Sequence, residues 1–183
     1  MFSIETNQIP ANTMLKQYSG NGAYVDCYST EITGQVSFGD YIIAFYTTPL
    51  FRLERFILTW AVSKPSTDKQ VRQLADGEVE QFAAWQVEGR SENEMLLCDL
   101  VGRTRSWLMA VPINTANGTR TQLYFGSAVV PKQNPRTGQL SLGFNYQALL
   151  GFHKVYSVLL LYSAKLRLQQ RIGNSDRKQG RFH

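Results

Sequence analysis

Asn145–Arg171, NYQALLGFHKVYSVLLLYSAKLRLQQR, contains no proline and one interior glycine, Gly151. It is the longest stretch of the chain that reads plainly as helix, and its packing decides the fold. Phe152, Val155, Tyr156, Leu159, Tyr162 and Leu166 recur at the three- and four-residue spacing that lines one helix face. Val158, Leu160 and Leu161 make the middle apolar nearly all round, which predicts a buried helix. At 1.5 Å per residue the segment is roughly 40 Å long, enough to cross a small domain.

Upstream, the segments are shorter and of another period. Residues 1–22 read as an irregular lead-in, with Pro10 and Ser19-Gly20-Asn21-Gly22 marking a loop. Ala23–Ile32 alternates and is rich in β-formers, so it predicts a strand with Tyr24, Asp26 and Tyr28 on one face and Val25 and Cys27 on the other. Ser37 and Asp40 open a helix as a capping box, and Thr48-Pro49 starts a second one, with Leu53, Phe56, Ile57 and Trp60 along one side. Thr67 and Gln70 cap a short third helix, Asp68–Ala75, which stops at Gly77. Four strands then follow at meander spacing: Gln81–Gly89, Glu94–Val101, Thr104–Ile113 and Arg120–Lys132, with Asn117-Gly118 as a hairpin signal. This order predicts an α+β domain over residues 1–172, a mostly antiparallel sheet of about five strands whose apolar face the long helix covers. A basic tail, 173–183, reads as disordered.

The totals bound the function classes. A chain of 183 residues is economically one domain, and 43% hydrophobic content with 18% charge is ordinary for a globular protein. Residues 165–183 hold six basic side chains and one acid, Asp176, and therefore the whole net charge of +5. A nucleic-acid-binding domain carries its charge on a structured face, so nucleic acid is not the expected partner. The basic tail solubilises the chain or makes weak contact with an anionic membrane. The longest uncharged apolar run of the helix, Val155–Ala164, is too short to span a bilayer. Cys27 and Cys98 are far apart and in no metal or redox spacing, and the N-terminus shows no signal peptide. Both point to a cytoplasmic protein.

Four stretches carry a family resemblance. Ile9-Pro10-Ala11 leading to Ala23–Tyr28, Thr48–Arg52, Asp99–Trp107 and Gly151-Phe152-His153-Lys154 together resemble an uncharacterised bacterial family of START-like, polyketide-cyclase-like domains, found alone or behind short-chain-dehydrogenase-like domains. The resemblance implies a helix-grip fold, in which a curved sheet wraps a C-terminal helix and leaves a cavity between them.

No cofactor motif is present, and two histidines, His153 and His183, are too few for a metal site of the usual kind. A serine nucleophile would have only His153 as its base. The residues left for a cavity are Tyr24, Asp26, Tyr28, Trp60, Asp99, Arg103, Arg105, Trp107, His153 and Tyr156. Asp26 reads either as a ligand-orienting carboxylate or general base between two phenols, or as a structural acid satisfied by its neighbours. Arg103, Arg105 and Trp107 share a strand face that either holds a ligand carboxylate or is solvated beside Asp99. His153 is a second catalytic candidate or a packed residue at a helix start. The expected function is binding of a small apolar or amphipathic molecule; the alternatives are a cyclase, hydrolase or isomerase activity through Asp26 and His153, and a peripheral membrane or protein-interaction role through the basic tail.

Overall fold

The computed structural model describes residues 4–20, 22–53, 66–116, 118–133, 140–141 and 146–179. The architecture is α+β: a seven-stranded antiparallel sheet, short helices and a long C-terminal helix. The strands are β1 (Glu5–Thr6), β2 (Tyr24–Thr33), β3 (Gln81–Phe82), β4 (Trp85–Arg90), β5 (Glu94–Asp99), β6 (Thr104–Thr115) and β7 (Gly118–Val129). They lie in the order β1-β2-β7-β6-β5-β4-β3, so the last long strand is central and pairs with the first long one. A separate two-stranded ribbon joins β8 (Lys132–Gln133) to β9 (Leu140–Ser141). The two strands beyond the expected five are two-residue edge pieces. β1 belongs to the lead-in, and β3 is split from β4 where Ala83 takes a positive φ of 53°.

The helices begin where local chemistry starts them. In α1 (Phe38–Tyr46), Ser37 accepts the Asp40 N–H at 3.0 Å. In α2 (Asp68–Ala75), Thr67 and Gln70 close a reciprocal capping box. Thr48 accepts the Phe51 N–H at 3.2 Å and starts a helical stretch at 49–53. Leu53 is exposed, and Phe56, Ile57 and Trp60 lie outside the described residues.

Strand alternation sorts the sheet into two faces. The inner face carries Tyr28, Ile32, Leu97, Leu108, Leu123 and Phe125, packed against α1, α2 and the long helix α3 (Tyr146–Gln179). Its centre is aromatic: the Phe45 ring lies 4.8 Å from that of Phe125, and Tyr46 lies 4.8 Å from Phe51. The other face carries Cys27, Leu96, Trp107, Met109 and Ala128. A 3₁₀ turn in the lead-in, Met14–Tyr18, covers it and drives Leu15 into it. The lead-in is thus a structural element and not a loose end.

Helix α3 differs from its expected form in two ways. It is not buried all round: Leu160, Leu161, Ala164 and Leu168 face the core with Ser157 and Lys165, whereas Val155, Leu159 and Leu166 are exposed. The inward stripe tolerates polar members because they find partners; Lys165 Nζ, for instance, donates to Thr30 Oγ1 at 2.9 Å. The second difference lies at the C-terminus, where the segment expected to be disordered from Gly173 continues the helix to Gln179. No proline stops it, and one glycine costs only about 1 kcal/mol within a helix.

The seat of Leu15 is testable. A Cβ on Gly126 would meet Leu15 Cδ2 at 2.5 Å, the Asp26 carbonyl at 2.8 Å and Trp107 Cε3 at 3.1 Å. The middle contact is backbone of a paired strand and cannot give way. Gly126→Ala is expected to cost about 2 kcal/mol or more in urea unfolding; a change within experimental error would show that the lead-in does not press on β7.

Candidate functional site

Antiparallel register brings three polar side chains into one row on the inner face. Asp26 of β2 is paired with Ser127 of β7, which is paired on its other side with Ser106 of β6. Rows on either side are bulkier: Tyr28, Phe125 and Leu108 in one direction, Tyr24, Val129 and Thr104 in the other. His153, on the early part of α3, completes the group.

Asp26 is buried, and donors from three residues saturate its carboxylate. Oδ1 accepts the Ser127 N–H at 3.1 Å and the Ser127 hydroxyl at 2.6 Å. Oδ2 accepts the Tyr24 hydroxyl at 3.0 Å and the Tyr28 hydroxyl at 3.5 Å. The phenols flanking Asp26 on its strand are therefore its partners, as the alternation predicts. Ser127 Oγ is also 2.6 Å from His153 Nε2, and that nitrogen is 3.6 Å from Asp26 Oδ2 and 3.5 Å from Ser157 Oγ. Ser127, which completes the group, had no signal of its own in the sequence.

This polar group borders a cavity of about 150 Å³ between sheet and helix. The apolar wall comes from Phe45, Phe51, Trp85, Phe125, Tyr156 and Leu160; Thr104, Ser106, Ser127 and His153 supply the polar end. The His153 side chain is 28% exposed and stands at the mouth. Ser106 Oγ lies 3.4 Å from the Tyr46 hydroxyl. The Trp85 indole N–H is buried with no acceptor among the described residues, and an unmet donor of that kind costs about 1–3 kcal/mol.

The remaining predicted residues divide. Tyr156 lines the cavity. Trp60 lies outside the described residues. Arg105 and Trp107 do share a strand face, but it is the opposite one. The Arg105 guanidinium pairs with Glu88 at 2.9 Å, bonds the Tyr18 hydroxyl at 3.0 Å and stacks over that ring at 4.8 Å. Arg105 borders the cavity while its charged head is turned away from it. The Trp107 indole, fully buried, donates to Glu94 at 2.7 Å. Their alternation was legible; which face the helix would cover was not. Arg103 follows the turn, where its backbone N–H bonds Asp99 Oδ1 at 2.7 Å. Leu159, which the helical spacing places on one face with Tyr156, is exposed.

No group of three or more His, Cys, Asp or Glu among the described residues could hold a metal ion, and no described helix is long and apolar enough to cross a membrane. No family model, curated protein or solved structure matches the chain. The site is therefore argued from its own geometry.

Burial and the Asp26 charge disfavour new negative charge nearby. Burial, then the neighbouring carboxylate, pushes the Tyr28 phenol up to about 12 from 10.0 and the Cys27 thiol up to about 12 from 9.0. A raised acid favours the fold in its neutral form. That contribution is complete below the ordinary value and is lost as pH rises through the folded one. Unfolding free energy is expected to fall between about pH 9 and 12, and Tyr28→Phe should flatten part of the fall. An identical alkaline profile for that variant in urea titrations would detach Tyr28 from the site. Separately, Asp26→Ala leaves the buried donors of Ser127 without an acceptor, and an expected loss of about 2–3 kcal/mol is measurable by the same method.

Proposed function

We propose that the chain is a helix-grip, START-like domain that binds a small, mostly apolar molecule between its sheet and its C-terminal helix. The element order supports the fold reading: a long first strand, short helices, an antiparallel meander and a long helix across one face. The observation that carries the function is the cavity itself, aromatic on one side and ending in Ser106, Ser127 and His153 on the other. Binding sites are commonly apolar hollows with a few convergent polar groups that fix orientation.

Size narrows the ligand. Aromatic rings occupy most of the space between the layers, and the remaining cavity is below the ~300–1,000 Å³ of sites for drug-sized ligands. An apolar cavity of roughly 150 Å³ accepts a benzene-sized molecule. The ligand is thus a single small ring or its aliphatic equivalent. It carries an oxygen that accepts a hydrogen bond, since the Ser106 hydroxyl supplies a donor at the polar end. Asp26, saturated by protein donors, orients this end without facing the ligand directly.

Cyclohexanone and phenol test this reading. Each is expected to bind saturably in ligand-observed NMR and to perturb Trp85 fluorescence. Leu160→Trp, which fills the cavity, should weaken binding by about tenfold or more while the circular dichroism spectrum is kept. Wild-type protein that binds neither compound, or binding that Leu160→Trp leaves intact, removes the pocket reading.

A further inference from the structure

We propose that the cavity is a proton-transfer site, in which His153 takes a proton from a carbon beside a carbonyl group and returns it to the substrate. This rests on the pocket reading above and adds the chemistry done in the pocket. The direction of the hydrogen bonds among Asp26, Ser127 and His153 is its basis.

Ser127 has one hydroxyl proton and two neighbours at 2.6 Å, Asp26 Oδ1 and His153 Nε2. An ionised carboxylate only accepts, whereas an imidazole nitrogen can bring its own hydrogen. The hydroxyl proton therefore goes to Asp26, and Nε2–H donates to Ser127 Oγ. With Nε2 in use as a donor, the neutral ring keeps its lone pair on Nδ1. Among the described residues Nδ1 makes no hydrogen bond. This arrangement runs opposite to nucleophile activation, where histidine must accept the serine proton. Asp26 and Ser127 act as positioning residues: they fix the tautomer and the ring, and the carboxylate stabilises the imidazolium that forms on proton uptake.

The substrate class follows from the surroundings. A base beside an apolar, partly enclosed space suits a weak carbon acid, and the neighbouring serine suits the charge that develops when the proton leaves. For a β,γ-unsaturated ketone the reaction is a proton shift. The Nδ1 lone pair forms an N–H bond with the α-proton, and the C–H electron pair becomes a carbon–carbon double bond. Negative charge moves to the carbonyl oxygen, where the Ser106 hydroxyl, across the ladder from Ser127, can donate to it. The imidazolium then returns the proton to the γ-carbon and the carbonyl is restored. Atoms and electrons balance with no oxidant, reductant or second substrate.

Cyclohex-3-enone is the probe, its conversion to the conjugated isomer followed by ultraviolet absorbance and its binding by NMR. Saturable acceleration over buffer is expected. His153→Ala should lower the rate constant at saturation by roughly 100-fold or more, with the dissociation constant little changed and part of the rate restored by added imidazole. Should that variant fold poorly, His153→Gln serves the same purpose. Ser127→Ala should lower the rate constant at saturation about tenfold at unchanged affinity, a split that a loosened fold would not produce. Saturable binding with conversion at the buffer rate, or conversion that survives both His153 variants, overturns the proton-transfer role and leaves the pocket standing. Failure of cyclohex-3-enone and cyclohexanone to bind at all removes the pocket and the proton-transfer role together.

Discussion

A carboxylate taken out of water must be given donors, and Asp26, which has two phenols on its own strand, obtains the two donors of Ser127 only if β2 and β7 pair in one register. Slipping β2 by one residue would turn Asp26 to the other face and put an apolar side chain or a thiol opposite Ser127. The ladder from Tyr24 opposite Val129 to Thr33 opposite Arg120 runs without a bulge and holds that register along the whole of β2. Buried charge is weak evidence for stability but good evidence for specificity of pairing. Here the β2–β7 pairing sets Asp26 beside Ser127, the β6–β7 pairing sets Ser106 on its other side, and the cavity is left with a polar end.

The two faces of the sheet solve different problems. Among the described residues the inner face receives α1, α2 and α3 and crowds seven buried aromatic rings (Tyr28, Tyr41, Phe45, Tyr46, Phe51, Phe82 and Phe125) into the space between. The opposite face would expose Trp107 and its neighbours but for a single turn of the lead-in, anchored where the Met14 N–H and the Trp107 indole share one Glu94 oxygen at 3.0 and 2.7 Å. One buried acid on each face thus fixes what packs there: Asp26 fixes a strand partner, and Glu94 fixes the cover.

Features set by neighbours in sequence were the most legible. The caps at Ser37, Thr48 and Thr67, the alternation of Tyr24, Asp26 and Tyr28, and the long C-terminal helix all depend on residues within one or two turns of each other. The buried face of that helix was not legible, because two apolar arcs compete. Val155, Leu159 and Leu166 satisfy the helical period as well as Leu160, Leu161, Ala164 and Leu168 do. The true inner arc also carries Ser157 and Lys165, whose polarity makes it look like the wet side until Thr30 is seen to receive the lysine. Ser127 was invisible for a related reason. A serine in a strand means nothing until a residue about a hundred positions away is placed beside it.

That separation also governs how the molecule comes to be made. β2 is synthesised early, yet its neighbour β7 is the last long strand, and the histidine arrives later still on the closing helix. During synthesis β2 therefore waits unpaired on that side while α1, α2 and β3–β6 emerge, and only the local β6–β7 hairpin can give it an edge to join. Pairing between distant segments is slow to form and leaves strands exposed in the meantime. Asp26, the third residue of a strand that must wait for its partner, is a charged side chain that favours water until Ser127 arrives. An inward-pointing charge is one of the devices that discourage wrong pairing at an open strand edge.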